Sequence, residues 1–305
     1  MNPRVNFSHL ITLAFFFSLL MIASCSKETS QTLDQQEEQA SIASSESDGE
    51  SEIVFNGVFD DAMGASDEVG MAGTGIFGRT IASNPDGSLG TQRPNVCYTV
   101  TVTHPNNTPF PVRVVIDFGT GCTGPDGHTR RGKIITDYTN RLIYPGAMAV
   151  TSFDGFYIDS IHVEGTHKIT NTSTGTTNRQ FTVDVIDAKL SKPNGDYTKW
   201  SSHKIITQIE GLITPDFHDD VFSITGSAHG QVKRGNLLVG WESSIIEPLI
   251  KRFTCRWIVR GKIRTVRINS TPNSPWVAVL DFGNGNCDNQ AVITINGRSH
   301  NITLP

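Results

Sequence analysis

The sequence predicts an all-β protein, in which residues 91–305 form one large antiparallel β-meander domain after a short N-terminal helix. Three observations support this prediction. Apolar and polar residues alternate in many segments after residue 93, turn-forming residues separate these segments, and no helical run of useful length appears there. Alternation with a period of two is typical of half-buried strands, and short connections are typical of antiparallel neighbours. A curved sheet, a sandwich and an open barrel all remain possible.

The segment from Val112 to Phe118 shows the strand pattern well, because every second residue in it is apolar. Near the end of the chain, Asn296 and Gly297 separate two alternating segments. This dipeptide is typical of a two-residue hairpin turn. We therefore expect the last two strands to form a tight antiparallel pair.

One unit of the sequence occurs twice, as Cys97–Cys122 and as Cys255–Cys287. Each copy contains a cysteine, a strand, a polar loop, an apolar strand, the triplet Asp-Phe-Gly and a second cysteine. The triplets occupy residues 117–119 and 281–283. No kinase signature accompanies them. We expect a structural role, in which the aspartate forms a turn and the glycine reverses the chain.

The spacing of the cysteines predicts two disulfide bonds. A hairpin centred on the loop of each unit brings its two cysteines almost opposite each other. We therefore expect Cys97 to bond with Cys122 and Cys255 to bond with Cys287. Four cysteines allow three pairings, and bonds between the units remain possible if the units are neighbours.

The N-terminus has the pattern of an export signal. Arg4 gives a positive start, Leu10–Ile22 forms an apolar run, and residues 22–25 read Ile-Ala-Ser-Cys. This tetrapeptide resembles a bacterial lipobox, in which the signal peptide is cleaved before a cysteine that is then diacylated. We therefore expect residues 1–24 to be removed and Cys25 to anchor the protein to a membrane.

The region after Cys25 is acidic. Of the 30 acidic residues, 12 lie between Glu28 and Glu68, which leaves the body mildly basic. Residues 25–51 contain few apolar side chains, and we expect them to form a flexible tether. Within residues 52–90 we expect a short amphipathic helix at 52–63 followed by a Gly-rich linker.

A basic segment near the C-terminus is the one sequence feature that indicates a ligand class. It extends from Lys251 to Arg267, contains no acidic residue, and includes the candidate anion-binding residues Arg256, Arg260, Lys262 and Arg264. Strand alternation places the last three of these on one face, as a ladder about 13 Å long. The ladder suits an acidic polysaccharide or an acidic envelope protein. Alternatively, its charges protect a strand edge from aggregation.

The sequence contains no convincing catalytic constellation. His162 and Glu164 share a strand face, but the same alternation sends His167 to the other face. Carboxylates around Asp117 and Asp126 fit turns better than a calcium site. We therefore predict no metal, no cofactor and, in the absence of a recognised module, no nucleic acid as a partner.

The lipobox, the acidic leader, the repeated Asp-Phe-Gly units and the ending at residues 292–304 resemble a group of Bacteroidota lipoproteins to which no activity is assigned. The resemblance covers residues 90–305. It implies an outer-membrane lipoprotein on the periplasmic or cell-surface face, and it implies no site residues. We expect an envelope-anchored, non-enzymatic binding or scaffolding module, possible ligands being an anionic polysaccharide or an envelope partner. The alternative is a polysaccharide-active hydrolase or lyase with carboxylates dispersed on loops.

Overall fold

The computed structural model describes residues 33–70, 74–75, 79–80, 97–124, 127–175, 179–212, 214, 219–268 and 276–305. The signal peptide, the lipidation site Cys25 and most of the linker at 71–90 lie outside these ranges. Met1–Gln36 and Glu37–Pro305 are separate compact units. Of the first unit, the structure describes only Leu33–Gln36, the first turn of a helix. All contacts given below lie within the second unit.

The described residues form one helix, α1 (Leu33–Gly70), and sixteen strands. The strands are β1 (Thr74–Gly75), β2 (Arg79–Thr80), β3 (Thr99–Thr103), β4 (Val112–Asp117), β5 (Cys122–Thr123), β6 (Thr129–Tyr138), β7 (Met148–Ile158), β8 (Ile161–Asn171), β9 (Gln180–Ser191), β10 (Tyr197–Glu210), β11 (Val221–Arg234), β12 (Leu237–Arg252), β13 (Ile258–Arg267), β14 (Val277–Asn284), β15 (Gln290–Ile295) and β16 (Arg298–Thr303).

Strands β3 to β16 form a single 14-stranded antiparallel sheet whose order follows the chain from β3 at one edge to β16 at the other. The short strand β5 pairs only with β6, and β1 and β2 form a separate two-stranded sheet. The main sheet does not close into a barrel. The predicted all-β meander is therefore confirmed, and the structure selects the curved, open sheet.

Helix α1 lies along one face of this sheet, which we call the inner face. Phe59 of the helix packs against Phe181 of β9 and Phe222 of β11, with ring centroids 6.0 and 5.6 Å away. The same hydrophobic cluster contains Val112 of β4 and Ile293 of β15, from near the two sheet edges. The sheet therefore curls around the helix, and alternate residues of each strand face inward and outward.

The helix is much longer than the sequence predicted. It spans 38 residues rather than 52–63, and its residues from Ala40 to Gly64 are mostly buried. The expected flexible tether is therefore wrong for residues 33–51. Small side chains permit this burial: a Cβ atom at Gly49 would lie 2.8 Å from Leu280 Cδ2. No helix among the described residues is long and apolar enough to cross a membrane.

Two buried serines of the helix satisfy their hydroxyl groups locally. Ser44 Oγ donates to the carbonyl oxygen of Ala40, and Ser51 Oγ donates to that of Ser47, both at 2.8 Å. Bonds of this type allow a serine-rich helix to pack against a sheet, because the polar atoms need no distant partner. Composition alone therefore gave a misleading indication of disorder.

Six acidic side chains of the helix pair with basic side chains from the strands and from the turn after β9. The pairs are Glu37–Arg267, Glu38–Arg298, Glu46–Arg234, Glu50–Lys192, Glu52–Lys204 and Asp60–Lys251. Such pairing offsets the cost of removing carboxylates from water. It explains why a segment that is strongly acidic in isolation lies inside the folded body.

The two repeated units have matching geometry. Cys97 and Cys122 are bonded, as are Cys255 and Cys287, with Cα–Cα distances of 5.2 and 5.7 Å, so each unit has the local pairing that we expected. In each triplet the aspartate Oδ1 accepts a hydrogen bond from the glycine backbone N–H, at 2.8 Å in residues 117–119 and 2.9 Å in residues 281–283. Both glycines have a positive φ. The aspartate therefore makes the same bond in both copies, before a turn in the first copy and at the end of β14 in the second.

Candidate functional site

The predicted basic ladder lies on the outward face of β13, where Arg260 and Arg264 are exposed. Between them, Lys262 Nζ lies 3.2 Å from Glu247 Oε2 and 3.6 Å from Asp281 Oδ2. The hydrogen bond that Lys262 donates to Glu247 and the charge of Asp281 raise the pKa of Lys262. The ladder exists as predicted, but carboxylates from β12 and β14 partly neutralise it.

Other basic residues of the same segment do not join the ladder. Arg256 is half-buried in the loop between β12 and β13. Lys251 is 1% exposed and pairs with Asp60, and Arg267 pairs with Glu37. The segment itself contains no acidic residue, but several of its basic residues have acidic partners from elsewhere in the chain. The partners come from helix α1 and from neighbouring strands, which the spacing within the segment could not show.

A larger feature, which the sequence did not predict, lies on the outward side of β9 to β12. It is a depression of about 870 Å³. The surface-facing residues that line it are Asp187, Lys189, Lys199, Ser201, His229, Gln231, Leu238, Gly240 and Ile268. Because these residues come from four strands and the end of a fifth, no local motif could reveal them. This surface is the candidate binding site.

Local backbone features shape the depression. At Asp187, which has a φ of 52°, β9 bulges and its register with β10 shifts. Gly230 lies on the inner face under Trp241, where a Cβ atom would come within 2.5 Å of the indole ring. On the outer face Gly240 leaves the floor without a side chain. Isolated glycines inside strands often mark such close approaches, and they are the sequence signal that could have located this surface.

Two buried tryptophans beneath the depression connect it to helix α1. Trp200 Nε1 donates to Asp48 Oδ1 at 2.8 Å, and Trp241 Nε1 approaches the same oxygen at 3.3 Å. One helix carboxylate therefore orients the indole rings under strands β10 and β12. This arrangement makes the floor of the depression a rigid part of the core.

The side chains around the depression combine positive charge with a small apolar border. Lys189 and Lys199 are outward neighbours on β9 and β10, and their Nζ atoms lie 5.7 and 6.0 Å from the ring centroid of Tyr197. Leu238 and Ile268 are 57% and 42% exposed. Ammonium donors beside exposed apolar carbons suit a polar, anionic ligand that also has a hydrophobic face.

Next to the depression, the outward face contains a group of stacked side chains. The rings of Tyr157 and His162 are stacked with centroids 4.5 Å apart, and Arg131 Cζ lies 3.7 Å from the Tyr157 centroid. Glu164 lies 3.7 Å from His162 Nδ1 and 3.9 Å from Lys189 Nζ. These contacts form a continuous polar and aromatic surface.

His167 faces inward, as strand alternation predicted, and is 1% exposed. Its ring stacks on Phe55 of the helix, at a centroid distance of 6.2 Å. Burial lowers the pKa of His167 to about 3, with the charge of Asp184 acting in the opposite direction. His162 and Glu164 therefore lie apart from it. Within the described residues, no three His, Cys, Asp or Glu side chains are grouped so that they could hold a metal ion.

The inner face contains a second polar group, between helix α1 and strand β10. Lys204 Nζ lies 3.0 Å from Glu52 Oε2, and both side chains are almost fully buried. Burial raises the pKa of Glu52, although Lys204 acts in the opposite direction. This pair lies inside the core and is closed to a ligand, so we assign it to the attachment of the helix.

Comparison of the chain with protein-family models, with curated proteins and with solved structures finds no match.

Proposed function

We propose that this protein is an envelope-anchored lipoprotein that acts as a non-enzymatic binding module for an anionic polysaccharide, which it binds in the depression on β9 to β12. The observation that carries this proposal is the position of Lys189 and Lys199. They stand side by side at a depression with a glycine in its floor and an apolar border. Ammonium groups bind carboxylate and sulfate groups, and the exposed carbons suit the apolar face of a sugar ring.

The filled interior supports a ligand site on the outer surface. Helix α1 occupies the inner face of the sheet, and Phe55 and Phe59 pack there against strand residues. The N-terminal lipobox pattern and the two disulfide bonds fit an exported protein, because disulfides persist in oxidising compartments. Anchoring through Cys25 would hold the binding surface at the envelope.

The residues that line the depression favour binding over glycoside hydrolysis. Glycoside hydrolases usually place two carboxyl groups about 5 to 10 Å apart on either side of the scissile bond. Asp187 is the one carboxylate among the described residues that line the depression. We therefore prefer a binding module to the alternative of a polysaccharide-active enzyme.

Chromatography on heparin, a sulfated polysaccharide that contains uronic acid, tests the site. The variant Lys189→Gln with Lys199→Gln should elute at a clearly lower salt concentration than the wild type, since exposed charges act over about 8 Å at physiological ionic strength. The matched control, Arg260→Gln with Arg264→Gln, also removes two positive charges from the outer face. It should elute close to the wild type.

The two variants separate the possible sites. If the β13 variant loses retention while the β9–β10 variant keeps it, the ligand binds at the basic ladder and the depression is the wrong site. If wild-type protein passes through the column without retention at low salt, the proposed ligand class is wrong. Unchanged melting temperatures would show that neither result comes from unfolding.

A further inference from the structure

We infer that the ligand is an extended polymer that lies across the strands, along a track of outward side chains that borders the depression. The track consists of Arg131, Tyr157, His162, Ser191, Tyr197 and Lys233, one residue from each of strands β6 to β11. This inference rests on the proposed function, because it assumes that the depression binds an anionic saccharide. It adds that the ligand must be longer than the depression itself.

The sheet register places the members of the track in a row. Arg131 is paired with Tyr157, Tyr157 with His162, and His162 with Ser191. Tyr197 is paired with Ser191 on one side and with Lys233 on the other. Directly paired residues project their side chains next to each other on the same face of a sheet. Five strand spacings of about 4.8 Å give the track a length of roughly 24 Å.

The track and the depression share a border. Lys199 is two residues from Tyr197 on β10, and Lys189 is two residues from Ser191 on β9, so each lies on the same outward face, one position further along the strand. Gln231 has the same relation to Lys233 on β11. A chain that follows the track therefore passes directly beside the ammonium groups at the depression. A ligand of one or two sugar rings would contact the depression and leave Arg131 and Tyr157 unoccupied.

The chemistry of the track suits an acidic sugar polymer. Tyr157 is held between its neighbours, with the Arg131 guanidinium 3.7 Å from its ring centroid and the His162 ring 4.5 Å away. Tyr197 has Lys189 and Lys199 nearby. Tyr197 thus offers an amphipathic ring beside cations, and Arg131 offers its guanidinium at the other end of the track. This combination matches repeating units that carry both an apolar face and an anionic group. Arginine also binds carboxylate and sulfate groups in a bidentate manner.

The charge of this surface also favours an anion. Four basic side chains, Arg131, Lys189, Lys199 and Lys233, stand on the track and at the adjacent row. The carboxylates near them are Glu164, which lies 3.9 Å from Lys189, Asp187 at the bulge, and Asp196, whose charge interacts with Lys233. The four basic residues therefore outnumber these three carboxylates by one. A polymer with one negative charge in each repeat could contact several of the basic residues at once, which raises its affinity above that of a short fragment.

Binding of heparin fragments of two lengths tests the inference. Isothermal titration calorimetry at constant salt should show that a heparin octasaccharide binds the wild type at least about tenfold more tightly than a heparin disaccharide. Arg131→Gln with Tyr157→Ala, at the end of the track away from the depression, should remove most of this difference and leave disaccharide affinity unchanged. Lys199→Gln should weaken both ligands. Tyr144→Ala, which removes an exposed tyrosine elsewhere, should change neither.

The outcomes distinguish a failure of the track from a failure of the binding site in the depression. If both fragments bind the wild type with equal affinity, or if the Arg131 and Tyr157 variant keeps the full advantage of the octasaccharide, the track is wrong and the depression still binds saccharide. If neither fragment binds the wild type, the proposed function fails and the track with it. Arg131→Gln alone, an exposed substitution, provides the same comparison if the double variant does not fold.

Discussion

Lys251 Nζ lies 2.6 Å from Asp60 Oδ2, deep in the body of the protein. The ammonium group also donates to the backbone carbonyl oxygens of Cys255 and Arg252, at 2.7 and 3.2 Å. A single side chain thus connects helix α1, the end of β12 and the loop that contains the second disulfide. Burial raises the pKa of Asp60, although Lys251 acts in the opposite direction. The pair of Lys251 and Asp60 therefore holds helix α1 against the sheet.

The first prediction concerns this pair. Lys251→Met should lower the free energy of unfolding by about 3 kcal/mol, the low end for a buried pair, because it leaves the carboxylate of Asp60, which is 21% exposed, without its partner. Urea denaturation measures the change. Adding Asp60→Leu to this variant should recover part of the loss. The control Lys262→Gln breaks an exposed pair and should have little effect; equal losses in both variants would contradict the buried role of Lys251.

The second prediction concerns pH. The pKa of His167 is lowered to about 3 in the folded protein, whereas an unfolded histidine has a pKa near 6.5. Below 6.5 the unfolded chain therefore binds a proton that the folded protein does not. The contribution of His167 to the free energy of unfolding is therefore fully present above pH 6.5. It decreases as the pH falls toward 3, by up to about 1.4 kcal/mol per pH unit.

His167→Leu should remove this contribution. Between pH 6 and pH 4, the variant should lose less stability in urea denaturation than the wild type. Glu52 and Asp60 have raised pKa values and act in the opposite direction, so the informative quantity is the difference between the two proteins. Parallel stability curves for the variant and the wild type would show that His167 does not titrate in this way.

The third prediction compares two glycines of helix α1. A Cβ atom at Gly57 meets nothing within 4 Å, so Gly57→Ala should stabilise the protein by about 0.5 to 1 kcal/mol through helix propensity alone. At Gly49 the same atom would lie 2.8 Å from Leu280 Cδ2 and 3.2 Å from Leu304 Cδ2. Gly49→Ala should therefore gain less or lose stability. Equal gains in thermal melts would mean that the helix does not pack closely at Gly49.

The fourth prediction concerns the anchor. Cys25→Ala should release the protein from the membrane fraction or block its processing, since in the proposed lipoprotein the diacylated thiol would supply the anchor. Fractionation followed by immunoblotting measures this. Ser24→Ala keeps a small residue before the cysteine and is the matched control, which should stay in the membrane fraction. A Cys25→Ala protein that is processed normally and remains in the membranes would rule out the lipobox.

The sequence by itself determined the features that depend on near neighbours in the chain. Alternation of apolar and polar residues identified the strands, since a strand exposes alternate residues to the core. Asn296 and Gly297 form the hairpin turn between β15 and β16 that the dipeptide predicted. The cysteine pairing within each unit followed from hairpin geometry for the same reason, because both partners lie on one local element.

Only the tertiary structure decided which polar residues are buried and which outward residues come together. Glu50 lies in the acidic, serine-rich segment that was predicted to be a flexible tether, yet it is buried, and its partner Lys192 is distant in the chain. Burying a charged side chain is favourable only when such a partner is present. The amino-acid composition of the segment does not show whether the rest of the fold supplies that partner. Likewise, Lys189 and Lys199 face the same depression as Gly240 because β9 to β12 are neighbours in the sheet. Strand pairing, rather than spacing along the chain, creates that surface.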